Sequence, residues 1–247
     1  MGKAKREIPI LGPERVAEKP HRTKEALMPR WPIRFEDALA SRNRLRTHLY
    51  PTAFRNYATL DEWVGHGIRV FVKHENHHPT NSFKVRNGLS VLSALSPEGR
   101  RIGAVAASRG NHGQGLAWAG QLLGVPVTIC VPLGNNPEKN AAMRGLGAEL
   151  IEDGADYDAS VAVADRIARE RNARLVHSSN DAQVIAGAGT ATLEMLEQEP
   201  ELDAIVIAIG GGSLAVGAMT VARTLKPSVR VYGVQAERAS AIFDSWK

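Results

Sequence analysis

The chain alternates between strand-like and helix-like segments from about residue 60 onward, and this alternation constrains its fold more than any other feature. Several strand-like runs are almost entirely apolar and do not alternate with polar residues, as in 125–131 (VPVTICV) and 203–210 (DAIVIAIG). Continuous apolar strands are typical of a parallel sheet whose two faces are both covered by helices. Because crossover connections are right-handed, the sequence predicts an open, doubly wound α/β fold with a mostly parallel sheet.

The composition is that of an ordinary globular protein of 247 residues, with 43% hydrophobic and 23% charged residues. Its net charge of +5 comes mainly from residues 1–30, which hold eight Lys or Arg against four Glu. We therefore expect a basic N-terminal arm and a near-neutral body without a nucleic-acid surface. No run is long and apolar enough to predict a membrane partner. The single cysteine, Cys130, lies in a buried-strand pattern, which predicts an inert thiol and favours a cytoplasmic protein.

Three histidines lie close together in the sequence, at His74, His77 and His78. Their spacing matches no firm metal-ligand pattern. We therefore expect no metal site and a solvated loop at these positions.

Ligands of open α/β sheets bind at the carboxyl ends of strands, so the loops that follow strands are where chemistry is expected. The first such loop, HHPTNSFKVRNG (77–88), places Lys84 on the first turn of a predicted helix. The helix dipole disfavours a cation there. A lysine whose amine must be neutral and nucleophilic gains from this position. A surface lysine without a role is the alternative.

Two further loops are rich in glycine and small residues. In ASRGNHGQG (107–115), backbone N–H groups at a helix start can face an anion, and Asn111 and His112 add side-chain donors. A capped tight turn is the alternative for this loop. In IGGGSLAVGA (209–218), three consecutive glycines and Ser213 precede a helix, a pattern typical of a phosphate site.

The loop 209–218 also matches a dinucleotide fingerprint through Gly210, Gly212 and Ala215, with Glu237 after the next strand. A nicotinamide-dependent oxidoreductase is therefore an alternative function. That alternative gives no role to Lys84 or to the loop 107–115, and its fingerprint normally follows the first strand of the fold. A pyridoxal 5'-phosphate (PLP) enzyme needs an imine-forming lysine, a phosphate site and a carboxylate site, so a PLP site uses all three loops.

Four segments together resemble the serine/threonine dehydratase group of fold-type II PLP enzymes, which includes threonine ammonia-lyases and serine racemase. These segments are TNSFKVRNG, SRGNHGQGLAWAG, VIAGAGTATLEML and IGGGSLAVGAM, and the resemblance runs from about residue 33 to residue 247. It implies that Lys84 forms the Schiff base and acts as acid and base at the substrate α-carbon. It also implies that Phe83 lies along the pyridine ring and that Asn111 hydrogen-bonds the ring hydroxyl. The substrate would be surrounded by Ser108, Arg109, Gly110, Asn111 and His112. The phosphate would be held by Gly210, Gly211, Gly212, Ser213 and Leu214.

The same resemblance implies a tryptophan synthase β-like architecture. It divides the chain into an arm at 1–30, a large PLP domain at 31–102 and 180–247, and a smaller α/β domain inserted at 103–179 that closes over substrate. Family members continue well past the last segment, so we expect the C-terminal part of the family fold to be absent here and apolar sheet surface to be uncovered. The resemblance favours a homodimer or homotetramer.

The activity that the resemblance implies is the PLP-dependent conversion of a β-hydroxy amino acid, threonine or serine, to a 2-oxo acid and ammonia. A non-catalytic or truncated protein that keeps the PLP fold is the alternative. Asn81 and Ser213 replace residues that are commonly glycine in the family, and Arg109 replaces a small residue. Because a guanidinium stays protonated, Arg109 predicts a dehydratase without racemase activity. Arg109 either binds a second substrate carboxylate or pairs with an acid across the cleft.

Overall fold

The computed structural model describes residues 32–246, which lie within one compact unit. The predicted arm at 1–30 lies outside the described residues. The helices are α1 (Phe35–Leu45), α2 (Ala58–Val64), α3 (Lys84–Ser93), α4 (Pro97–Ile102), α5 (Asn111–Leu123), α6 (Pro137–Gly145), α7 (Tyr157–Glu170), α8 (Ala182–Gln198), α9 (Ser213–Leu225) and α10 (Ala241–Trp246). The strands are β1 (Phe54–Asn56), β2 (Phe71–Lys73), β3 (Ala104–Ala107), β4 (Val127–Val131), β5 (Glu149–Glu152), β6 (Arg174–Leu175), β7 (Ala204–Ala208) and β8 (Arg230–Val234).

A four-stranded parallel sheet, in the order β5-β4-β3-β6, confirms the predicted doubly wound arrangement. Successive residues of β3 point to opposite faces. Ala104 and Ala106 belong to one buried cluster with Leu116 of α5. Val105 and Ala107 belong to another, with residues of α7. All four strands lie within 103–179, the range for which we predict a separate small domain.

Cys130 lies in the centre of this sheet and is fully buried. Burial raises the pKa of its thiol to about 11, so the thiol stays protonated at neutral pH. The predicted burial of Cys130 is confirmed, and the inertness of its thiol stays a prediction.

The second parallel sheet pairs β7 with β8, and residues 32–246 cover only one of its faces. Ile205 and Ile207 pack against residues of α8 and α9. On the other face Val206, Tyr232 and Val234 are 70%, 45% and 52% exposed. The expectation of uncovered apolar sheet surface therefore agrees with the structure at this sheet.

The strand-like run 68–74 is only partly a strand. Phe71–Lys73 forms β2, which pairs antiparallel with β1 at a distance from both parallel sheets. The loop that leads to Lys84 therefore starts from a short two-stranded ribbon, and the simple expectation of a parallel strand before this loop is wrong. The pairing partner, β1, lies upstream of the α/β alternation, where the sequence pattern is weak.

The helix that begins at Lys84 is held between two other helices at backbone distance. A Cβ atom on Gly88 of α3 would lie 2.9 Å from the Cα of Leu116 in α5. A Cβ atom on Gly187 of α8 would lie 2.6 Å from the carbonyl oxygen of Arg86. Only glycine fits at such separations, so these residues set how closely α3 approaches α5 and α8.

Candidate active site

Lys84 is the first residue of α3, as predicted, and it points to the start of α9. Its Nζ lies 3.5 Å from the Oγ of Ser213, a residue 129 positions away in the sequence. The ring centroid of Phe83 lies 4.8 Å from the same nitrogen. Burial lowers the pKa of the Lys84 amine to about 8, because a charged ammonium loses hydration there. The neutral, nucleophilic form of the amine is therefore accessible near neutral pH.

The turn before Lys84 requires an unusual backbone conformation. Asn81 has a φ of 53°, in the left-handed region that glycine and asparagine tolerate best. The presence of asparagine where the family commonly has glycine is explained by this angle. The substitution therefore preserves the turn that leads into α3.

The glycine-rich loop joins β7 to α9. Gly212 is the N-cap of α9 with a φ of 96°, and Ser213 begins the helix and is 3% exposed. A Cβ atom on Gly210 or Gly212 would meet no atom within 4 Å, so open space lies beside both residues. Unpaired N–H groups at a helix start with open space beside them are suited to a phosphate.

The loop after β3 is shaped by the side chain of Ser108. Its Oγ accepts hydrogen bonds from the backbone N–H of Gly113 at 2.8 Å and of Gly110 at 3.2 Å. These bonds fix the first turn of α5, which begins at Asn111. The capped tight turn that the sequence left as an alternative is therefore present, and the predicted contact of Ser108 with substrate stays a prediction.

His112 is the polar side chain of this loop that is buried without a partner. The residue is 5% exposed, and within the described part of the chain the polar neighbour of its ring is the backbone of Val176, which raises its pKa slightly but lies outside hydrogen-bond geometry. Burial, and then the nearby charge of Lys84, lowers the pKa of His112 to about 3. The imidazole is therefore neutral and has one N–H to donate. An orphaned buried donor is costly, and a bound polar group would satisfy it.

Arg109 is exposed and forms no ion pair with any residue in the range 32–246. The salt bridge across the cleft that the sequence left open is therefore not found among these residues. Lys139, which the sequence analysis missed, lies over the same loop, with its Nζ 3.4 Å from the Oδ1 of Asn111. Two cations thus flank the predicted substrate loop, and neither forms a salt bridge with a carboxylate among residues 32–246.

A fourth loop contributes to the site and was also missed. Ser179 follows β6, and a Cβ atom on Gly211 would overlap its Oγ. The neighbouring His177 accepts hydrogen bonds from the backbone N–H of Ser179 and Asn180 through Nδ1. The signal was available, because this loop also follows the carboxyl end of a parallel strand.

Of the three histidines before Lys84, His77 is exposed, His74 is half-buried and His78 is buried, so the loop is only partly solvated. His78 is 5% exposed and its Nε2 lies 3.3 Å from the Oε2 of Glu75. The rings of His74 and His77 stack at 4.7 Å, and the Tyr57 hydroxyl lies 2.7 Å from the Nε2 of His74. The expectation was wrong because a 3-10 turn at Glu75–His77 folds His78 back onto Glu75. No group of three His, Cys, Asp or Glu suited to a metal occurs among residues 32–246.

These residues fit PLP. The amine of Lys84 is close enough to the α9 N-terminus for one small molecule to meet both. The glycine loop has room for a phosphate, and the neutral ring of His112 offers an unused donor. The fingerprint residue Glu237, in contrast, starts an exposed 3-10 turn after β8. The geometry therefore gives the nicotinamide alternative no support beyond the glycines.

Known proteins with related sequences and structures identify the family of this chain. Residues 45–247 match the family described as pyridoxal-phosphate dependent enzyme. The chain is 37% identical to L-threonine ammonia-lyase of Thermotoga maritima over 213 residues, which are 86% of this chain and 53% of that protein. Serine racemase of Dictyostelium discoideum superposes with a TM-score of 0.82 at 30% identity, over 87% of this chain and 69% of that one. A PLP-dependent aspartate racemase superposes with a TM-score of 0.80 at 34% identity, over 85% of this chain and 65% of that one.

The fold and the site thus define a fold-type II α/β protein that uses PLP, as predicted. The chain belongs to the pyridoxal-phosphate-dependent enzyme family, and its relatives lie in the predicted threonine ammonia-lyase and serine racemase group. The chain spans about half the length of the Thermotoga relative. No helix within residues 32–246 is long and apolar enough to cross a membrane.

Proposed function

We propose that this protein eliminates water from a β-hydroxy amino acid, threonine or serine, and that water then hydrolyses the released enamine to a 2-oxo acid and ammonia. The observation that carries the proposal is the half-buried amine of Lys84, which lies 3.5 Å from Ser213 at the glycine-rich start of α9. When bound, PLP supplies an electron sink for the substrate α-carbon. The similarity to L-threonine ammonia-lyase supports this substrate class.

The residues of the chain divide the work in this proposal. The backbone N–H groups of Gly210–Gly212 and Ser213 bind the phosphate, helped by the dipole of α9. The loop 108–112 binds the substrate carboxylate through backbone N–H groups and the neutral His112. Lys84 carries the cofactor at rest, and its freed amine then takes the proton from the α-carbon. With a pKa of about 8, this amine is both a usable base and a usable nucleophile near neutral pH.

A second function, racemisation, is named in similar structures. Inversion needs a second acid-base group on the face opposite the lysine. Arg109 stands at the position of the small family residue, and a guanidinium does not exchange its proton at working pH. We therefore propose elimination without efficient inversion.

We also propose a cytoplasmic homodimer or homotetramer, supported by the family resemblance and the buried single thiol.

The test is the variant Lys84→Ala, with Lys226→Ala as a matched control on the distant end of α9. The chain is incubated with PLP and reduced with borohydride, and the covalent adduct is located by mass spectrometry. Formation of 2-oxobutyrate from L-threonine is measured in parallel. We expect Lys84→Ala to lose both the adduct and the product, while Lys226→Ala keeps both. An adduct without any product from the unaltered chain would favour the non-catalytic alternative, and an adduct at another lysine would refute the assignment.

A further inference from the structure

A group of four charged side chains and one threonine lies behind Lys84, on the far side of α3. We call it the Arg86 network: Lys73, Glu75, Arg86, Thr190 and Glu194. The guanidinium of Arg86 donates from Nε and Nη2 to Glu75 at 2.7 and 2.8 Å, and from Nη1 and Nη2 to Glu194 at 2.7 and 2.8 Å. A fifth bond runs from Nη1 to Thr190 at 3.1 Å. All five donors of the guanidinium are therefore used.

The network is buried and electrically balanced. The side chain of Arg86 is 1% exposed, and those of Lys73 and Glu194, which pair at 2.6 Å, are 7% and 10% exposed. Burial alone would raise the pKa of Glu75, but hydrogen bonds from His78 and Arg86 outweigh burial and hold that pKa low. Two cations thus face two carboxylates. Such a group costs desolvation energy, and good geometry repays much of that cost.

The network joins elements that also pack against one another. Lys73 belongs to β2, Glu75 to the following turn, Arg86 to α3, and Thr190 and Glu194 to α8. At the start of α3, the N-cap residue Phe83 makes no side-chain capping bond, and the backbone N–H of Lys84 donates to the Oγ of Ser82 at 3.4 Å. The glycine contacts set how closely α8 approaches α3, and the network adds bonds in fixed directions. Two residues further along a helix correspond to a rotation of about 200°. Arg86 and Lys84 therefore point to nearly opposite sides of α3.

We propose that Arg86 is a positioning residue for Lys84. By fixing the rotation of α3 from behind, the planar fork of Arg86 directs the Lys84 amine towards Ser213 and the glycine-rich loop. A lysine at position 86 keeps the charge but cannot reproduce five bonds in fixed directions. The inference rests on the proposed function in one respect, namely that Lys84 is the residue that carries PLP.

The test compares Arg86→Lys with Leu92→Ala. Leu92 is on the same helix, is fully buried and lies outside the network. Three quantities are measured for each variant: the thermal midpoint, the rate of borohydride-trapped PLP attachment at Lys84, and the visible circular dichroism of bound PLP. Both substitutions are expected to lower the thermal midpoint. At a matched loss of stability, we expect Arg86→Lys to slow attachment at least tenfold and to change the dichroism band, and Leu92→Ala to stay within about twofold of the unaltered chain.

A second variant separates position from stability. Replacing the charged members together, with Lys73→Met, Glu75→Leu, Arg86→Met and Glu194→Leu, removes the desolvation cost as well as the bonds, so the fold is expected to persist. We expect this variant to be folded with slow attachment and an altered dichroism band. The proposal would be overturned if the folded apolar variant kept unaltered PLP attachment and dichroism. Equal effects of Arg86→Lys and Leu92→Ala would also overturn it, as would failure of both network variants to fold. Absence of a Lys84 adduct in the unaltered chain would instead count against the proposed function.

Discussion

Replacing Gly115 with alanine is expected to push α3 away from α5 and to displace Lys84. A Cβ atom on Gly115 would lie 2.5 Å from the carbonyl carbon of Lys84 and 2.9 Å from the backbone N of Val85, whereas ordinary contacts begin near 3.4 Å. Both atoms belong to the backbone, so no side chain can rotate away. The first turn of α3 must therefore move by about 1 Å.

The size of the effect is measured against Gly145→Ala. Gly145 is also helical, but a Cβ atom there would meet nothing within 4 Å. Both substitutions gain helix propensity and reduce the freedom of the unfolded chain, and these gains largely cancel in the comparison. The difference in free energy of unfolding is then the overpacking cost at Gly115, about 1–3 kcal/mol. For a domain of this size, each kcal/mol corresponds to a midpoint shift of about 2–4 °C.

The assay combines thermal unfolding, followed by circular dichroism, with the rate at which Lys84 traps PLP. A displacement of about 1 Å at a reacting group can slow chemistry about a hundredfold. We expect Gly115→Ala to be less stable than Gly145→Ala and to trap PLP at least tenfold more slowly. Equal stability and equal trapping in the two variants would show that α3 and α5 are not packed at backbone distance.

Four further predictions concern Lys84, Asn81, the substrate selectivity conferred by Arg109, and the absence of racemisation. Because burial lowers the pKa of Lys84 from 10.5 to about 8, covalent PLP attachment should rise with pH around a midpoint near 8. The stability of the PLP-free chain should increase from about pH 8 to 10.5, because only the unfolded chain still holds this proton in that range. A midpoint of attachment near 10.5 in a pH series would contradict this prediction. Because Asn81 has a φ of 53°, denaturant titration should show Asn81→Ala to be about 1 kcal/mol less stable than Asn81→Gly. The opposite order of stability would show that backbone strain does not determine which residues this position tolerates. If Arg109 binds a second carboxylate, Arg109→Ala should lower kcat/KM for 3-hydroxyaspartate at least tenfold more than for threonine, and an equal change in both excludes that role. Chiral chromatography after incubation with L-serine should detect no substantial D-serine from the unaltered chain.

The sequence determined the features that depend on neighbouring residues. Apolar strands alternating with helices predicted the doubly wound sheet, and the glycines before Ser213 predicted an open helix start after β7. The position of Lys84 at the first residue of α3 was also predicted, since a strand-like run and a helical pattern bracket it. Such features follow from local periodicity and turn chemistry, which a single segment carries within itself.

Only the tertiary structure decided what each of these features faces. It brought Lys84 to Ser213 across 129 positions and buried the ring of His112. It also placed Lys139 over the loop 107–115, and Ser179 against the glycine-rich loop, although sequence patterns singled out neither residue. It directed four bonds of Arg86 to carboxylates from a turn and a distant helix, and a fifth to Thr190. These contacts depend on how closely α3, α5 and α8 pack. A few glycines set that packing, and their role is seen only when the backbone of the neighbouring helix is known. The periodicity of a sequence predicts which face of a helix is buried but not which atoms lie against that face.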